Sequence, residues 1–311
     1  MTIHNEVLFT VGMPVGDSVH VIRRRFVGSA GPRVAIVAGI RGDTPEGVRV
    51  AHAVAAILGE QHENIRGSVD VFPCVNPVAA SRGVRRWPFF NRDLNRCFPG
   101  TANGPAPDHV AWTLVQSLRD FDQIIELRGA HPAFAEAPQA HVRAGEPDSA
   151  ELARHANVNV VWARTPGPAA PSTFAWQFAR TIALEGGSGN CLTPSVGQAL
   201  TEGVLNMLNV MGVLPDEALP FHWAAVTRPR VVTDAAVHRV RLEHAGLFLP
   251  KLDAWAEVEA GDTIGVLVSA GSGEEVEVVR SPVSGNLLAV REHPVVVPGS
   301  VVARVAERVD E

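Results

Sequence analysis

Four short stretches hold most of the residues able to do chemistry. They are residues 39–47 (GIRGDTPEG), Asn76-Pro77 with residues 93–100 (DLNRCFPG), residues 126–129 (ELRG) and residues 185–189 (EGGSG). Among their carboxylates, Glu126 and Glu185 stand near strand ends, with the arginines Arg41, Arg96 and Arg128 in the same stretches and Arg85 shortly upstream. A carboxylate can move a proton as general acid or base. A guanidinium binds anions through a rigid fork of donors and supplies no lone pair of its own. Each stretch also has a plainer reading. Asp93 and Asn95 can close a turn through backbone hydrogen bonds. Glu185-Gly186-Gly187 can be a strand exit, although a carboxylate at a buried strand end asks for a partner. Residues 186–189 can cradle a phosphate, but glycine-rich loops are common.

Other nucleophiles and metal ligands are sparsely provided. There is no tyrosine, and Lys251 is the only lysine, so a Schiff base or a lysine-carried cofactor has one candidate. Cys97 and Cys191 lie beside the polar loops, but no histidine is placed next to either by sequence. No histidine pair has H-x-x-x-H spacing. His131 and His141 read as loop histidines, with an improvised metal site involving Asp43 or Glu46 as the alternative.

These loops need strands to hold them. Apolar and polar residues alternate up to Phe26 around a Gly16-Asp17 turn, which predicts a β-hairpin. Residues 33–40 (RVAIVAGI) form a continuous β-branched run, as in a strand buried on both faces. Thr44 as N-cap and Pro45 at the first position then start a helix whose apolar face continues through Val48, Ala51, Ala55 and Leu58. Further strands are expected at 69–75, 122–127, 158–163 and 181–185, and helices at 107–118 and from Thr193-Pro194 to Met211. Such alternation predicts an α/β sheet with helices on both faces, with ligands at the carboxyl ends of the strands. From about residue 230 the helical period disappears and short strands with turns follow, so domains are expected at 1–228 (α/β) and 229–311 (all-β).

Composition excludes several functions. At 311 residues, 46% hydrophobic and 19% charged, the chain is expected to be ordered. A net charge of −6 without like-charge blocks predicts no nucleic-acid or membrane-surface partner. No apolar run is long enough to span a bilayer. The first residues lack a signal-peptide pattern, and three scattered cysteines suit a reducing compartment, so a cytoplasmic location is expected.

In order and spacing, the four stretches resemble the aspartoacylase and succinylglutamate desuccinylase family. Residues 85–96, with R-x-x-P followed by RDLNR and then CFPG, are most similar to the branch that deacetylates N-acetyl-diaminobutyrate. GLFLP, AGDTIG and SPVSG in the last 80 or so residues resemble that family's barrel-sandwich module, so the likeness covers nearly the whole chain. It implies a zinc-carboxypeptidase-like mixed sheet with a small C-terminal all-β domain, a small amino-acid-like ligand and a homo-oligomer. Glu185 falls on the family's general base or acid. Asn95 and Arg96 fall on its carboxylate clamp, Arg85 on a further substrate-binding arginine, and Asp93 lies within the same signature.

The departures matter more. The family's three zinc ligands fall here on Arg41, Thr44 and Arg128, and zinc needs deprotonated nitrogen, sulfur or carboxylate donors. No cofactor is therefore expected at that inherited position. Arg41 and Arg128 would instead stand in electrostatically for the ion and join Glu185 as the catalytic set. Two alternatives stay open: a non-catalytic binding protein, and a zinc deacylase with recruited ligands.

Overall fold

The computed structural model describes residues 2–13, 16–220 and 228–308. It opens with the expected hairpin: β1 (Thr2–Gly12) runs antiparallel to β2 (Ser18–Val27). β3 (Ser29–Ala38), β4 (Arg66–Phe72), β5 (Gln123–Leu127), β6 (Phe134–Arg143), β7 (Val160–Arg164) and β8 (Thr181–Ser188) follow along the chain. Between and after them lie α1 (Pro45–Glu60), α2 (Ala106–Ser117), α3 (Pro147–Ala153) and α4 (Pro194–Val210). In space the strands run β1-β2-β4-β3-β5-β8-β6. The central pairs β4/β3, β3/β5 and β5/β8 are parallel, and β8 meets β6 antiparallel.

Strand β3 explains the layering. Val34, Ile36 and Ala38 join one apolar core with α1 and α4, while Ala35 and Val37 join a second core with α2. All five are fully buried, as a strand covered on both faces requires. Helices therefore pack on both faces, as expected. The buried stripe of α1 is Val50, Ala51, Val54, Ala55 and Leu58, whereas Val48 is only partly covered. Thr44 stands at the cap position, but its hydroxyl donates to the Arg41 carbonyl at 3.0 Å and caps no helical N–H. α4 ends as expected, with Gly212 at φ +74° beyond it.

Among the described residues from 228 onward there are strands and no α-helix. The longer ones are β9 (Arg230–Thr233), β10 (Val237–Arg241), β11 (Gly246–Pro250), β12 (Thr263–Val268), β13 (Glu275–Arg280), β14 (Gly285–Arg291) and β15 (Val301–Glu307). Phe248, Ile264, Leu267, Leu287 and Val305 share their core. The boundary expected at 228/229 sits beside residues 221–227, which lie outside the described residues.

The main sheet crosses that boundary. β6 forks: Phe134 to Glu136 pair with β14, while Gln139 to Arg143 pair with β7. Pro138 sits at the fork, where its missing N–H costs no ladder bond. β15 lies beside β14, and this brings C-terminal side chains to the head of the sheet.

Candidate functional site

Three parallel strands aim their carboxyl ends at one place. Arg41 follows β3, Arg128 follows β5, and Glu185 lies near the end of β8. Gly47 lets the first turn of α1 approach the end of β5, since a Cβ there would lie 2.5 Å from the Leu127 carbonyl oxygen. The Arg41–Thr44 loop is thereby held against Arg128.

Arg128 is the hub. Its Nη2 donates to Glu126 Oε2 at 2.5 Å, and its Nη1 reaches Glu185 Oε2 at 3.5 Å. Burial works against its charge, yet Glu126 and then Glu185 hold it above the usual arginine value. On the other side of Glu185, His141 Nε2 lies 3.1 Å from Oε1, off the ideal hydrogen-bond direction. Arg164 Nη1 lies 3.2 Å from His141 Nδ1. A guanidinium only donates, so Nδ1 accepts and the ring proton sits on Nε2, towards Glu185. Burial, chiefly, keeps the His141 pKa low. Burial alone would raise Glu185, but His141, Arg128 and Arg41 together hold it well below the usual carboxylate range.

Arg41, Arg85, Asn95, Arg96 and Arg128 line one cavity of about 350 Å³, together with Arg143 and Arg164. No carboxylate among the described residues lines it. Arg96 is exposed and has no ion pair among the described residues. Arg41 also has none; its nearest acceptor is the Gly129 carbonyl at 3.5 Å. Burial, then Arg128, lowers the Arg41 pKa, but a guanidinium remains charged.

Two of the expected clamp residues do structural work as well. Asn95 Oδ1 accepts from Phe174 N–H at 3.0 Å, which leaves its amide nitrogen for a ligand. Asp93 is absent from the cavity lining. One of its carboxylate oxygens accepts from Asn95 N–H at 3.0 Å and the other from Arg85 Nε at 2.8 Å. It orients the clamp and does not face the cavity.

A smaller lobe of about 150 Å³ shares Arg41, Arg128, His141 and Arg164 with the larger cavity and reaches Glu185. It also exposes residues that sequence reasoning missed: Glu136 on β6, Arg239 on β10 and Arg304 on β15. Arg304 Nη1 donates to Glu136 Oε1 at 3.1 Å. His141 was expected in a loop but lies on β6, paired with Ala183 of β8 and Trp162 of β7. Two acidic–histidine positions on an alanine-rich strand interrupted by Pro138 give no clear period, which is why the strand escaped notice.

The donor set at the resemblance's metal positions does not fit zinc. Arg41 and Arg128 offer only N–H donors, and the Thr44 hydroxyl is engaged with the Arg41 carbonyl. The alternative ligands are dispersed. Glu46 is occupied by Arg49 and Thr193 N–H, and His131 Nδ1 lies 3.2 Å from Ala133 N–H. Among the described residues no group of three or more His, Cys, Asp or Glu could hold a metal ion. No described helix is long and apolar enough to cross a membrane.

A mixed α/β sheet with a strand-end site and β-strands appended at one edge defines the zinc-carboxypeptidase-like class. The model of the succinylglutamate desuccinylase/aspartoacylase catalytic domain matches residues 30–211, and the chain belongs to that family. It is 26% identical over 297 residues to an N-alpha-acetyl-L-2,4-diaminobutyric acid deacetylase of Halomonas elongata, covering 90% of this chain and 83% of that one. Two solved structures share the fold. A succinylglutamate desuccinylase/aspartoacylase from Rhodobacter sphaeroides has a TM-score of 0.82 at 22% identity, covering 97% of this chain and 93% of that one. The product-bound ectoine utilization protein EutE (DoeB) from Ruegeria pomeroyi has a TM-score of 0.84 at 19% identity, covering 98% and 95%.

Proposed function

We propose that this chain binds a small carboxylate-bearing, amino-acid-like ligand at the head of the sheet and acts on it without zinc at Arg41, Thr44 and Arg128. The observation that carries this reading is the cavity itself. Arg41, Arg85, Asn95, Arg96 and Arg128 face one space that no carboxylate among the described residues lines. Arg85 is paired with Asp93, and Arg128 with Glu126 and Glu185, whereas Arg41 and Arg96 have no ion pair among the described residues, and an anionic ligand would supply one. Asn95, Arg96 and Arg85 grip the ligand's carboxylate. Arg41 and Arg128 polarise a carbonyl or stabilise a developing oxyanion.

Glu185 takes the proton role, with His141 behind it as orienting partner. Arginine cannot bring a bound water to a pKa near 7 as zinc does, so amide hydrolysis is the hardest reaction for this site. Elimination, cyclisation or proton transfer beside a carbonyl demands less. The test is Glu185→Gln. Turnover should vanish while binding of the ligand, followed by thermal shift, persists; full activity would overturn the catalytic role.

The low pKa of Glu185 favours a second reading, a binding protein without turnover. A carboxylate held well ionised by His141 and Arg128 is a weak base. Ligand-induced stabilisation in both wild type and Glu185→Gln, with no turnover by either on a panel of N-acyl amino acids, would favour this second reading.

A further inference from the structure

The smaller lobe holds two buried carboxylates, Glu185 and Glu136, in about 150 Å³. Their strands are neighbours: Glu136 stands opposite Gly187, two residues beyond Glu185. Their surroundings differ. Glu185 has a partner on each oxygen, His141 on one and Arg128 on the other. Glu136 has one ion partner, Arg304 at 3.1 Å, which comes from β15 at the far end of the chain. We propose that the smaller lobe holds a proton on Glu136 while Glu185 stays ionised, and that an anionic ligand is taken up together with this proton.

Two nearby carboxylates in a water-poor site divide a proton unequally, and the better-paired one keeps the charge. The groups facing Glu136 set the balance. Burial and the negative charge of Glu185 push its pKa up to about 7, while Arg304 on β15 and Arg41 after β3 oppose the rise. His131 adds a backbone contact and is itself kept at a low pKa, chiefly by burial. Arg239 of β10 lines the same lobe, as do Arg128, His141 and Arg164. An anion seated against Arg41 and Arg304 neutralises the charges that keep Glu136 acidic, so its pKa rises further. The proton comes from water and ends on the Glu136 carboxylate, and no bond of the ligand breaks. The site therefore carries a protonated carboxyl as a donor beside an ionised one. This use of the proton rests on the anion-binding reading above; its location on Glu136 does not.

Infrared titration of the ligand-free protein tests the location directly. Stepping the pH from about 6 to about 8.5 should remove a protonated-carboxyl band that is missing in Glu136→Gln and present in Glu185→Gln at lower pH. A band unchanged in Glu136→Gln, or no such band in wild type, would overturn the proposal. Should Glu136→Gln fold poorly, Arg304→Gln gives the second check, because loss of that cation should move the band's titration to higher pH. An unmoved band there would count against it. Calorimetry with succinate in two buffers of different ionisation heat, at about pH 7.5, then tests the coupling. Wild type should take up a fraction of a proton per succinate bound, and Glu136→Gln should take up none. Binding without proton uptake would refute the coupling alone. Absence of any binding, with the infrared band in place, would instead point to failure of the anion reading.

Discussion

Replacing Arg128 with methionine keeps most of its volume and removes the charge that two buried carboxylates share. Glu126 and Glu185 side chains are 3% and 11% exposed, against 16% for Arg128, so little water is available to replace the guanidinium. Breaking a buried pair by deleting one partner destabilises by about 3–5 kcal/mol, because a charge is left uncompensated. Here Glu126 loses its ion partner while Glu185 keeps His141, and the loss should fall within that range at neutral pH. In wild type, Glu185 has a depressed folded pKa. Its contribution is complete above the unfolded value of about 4.3 and is lost as the pH falls through the lower folded value. In the variant Glu185 loses one of the cations that hold it ionised, and acid neutralises it. The gap between the proteins should therefore be widest at about pH 7.5 and narrow clearly by about pH 4.5. Urea denaturation of both proteins at the two pH values measures it. A gap under about 1 kcal/mol, or one that does not shrink in acid, would refute the buried-hub account of Arg128.

Further predictions concern other parts of the molecule. Restoring ligand types with Arg41→His, Thr44→Glu and Arg128→His together should raise zinc binding above that of wild type, read by zinc stoichiometry; no gain would mean that the surrounding loops have also diverged. The His141 side chain is buried, and burial chiefly lowers its pKa. Its contribution to stability is present above about pH 6.5 and falls as the pH drops below it, and His141→Gln should flatten part of that fall in thermal melts. Gly203→Ala on α4 should destabilise by about 3 kcal/mol, since a Cβ there would lie 1.8 Å from the Ala156 carbonyl oxygen and overpacking outweighs the helix-propensity gain. Asp93→Asn should weaken carboxylate binding through misplacement of Arg85 and Asn95, in calorimetric titrations, while zinc content stays unchanged.

The layered sheet was legible because local signals sufficed. The unbroken apolar run of β3, Pro45 at the start of α1 and Gly212 beyond α4 each mark an element from its own residues. The phase of α1 was less so, since Val48 and Val50 are equally apolar and only packing against β3 and α4 selects the second. Site residues carried on strand-end motifs came together: Arg41, Arg85, Asn95, Arg96 and Arg128 share one cavity, and Glu185 faces the lobe beside it. What stayed hidden depends on long-range register. His141 reaches Glu185 because β6 pairs with β8, and Arg304 reaches Glu136 because β14 continues the sheet from β6. No local pattern near residue 304 announces a partner 168 positions away. Asp93 was half legible. The turn-closing role open to any Asp before Asn is the one it fills, while its second oxygen fixes Arg85.

The central claim is that guanidinium groups occupy the place of the metal. Its most direct test is zinc per chain by elemental mass spectrometry, on protein purified without chelator and then challenged with added zinc. Negligible zinc in both samples is the predicted result. Close to one tightly held zinc per chain would contradict the claim and return metal-assisted deacylation to the front.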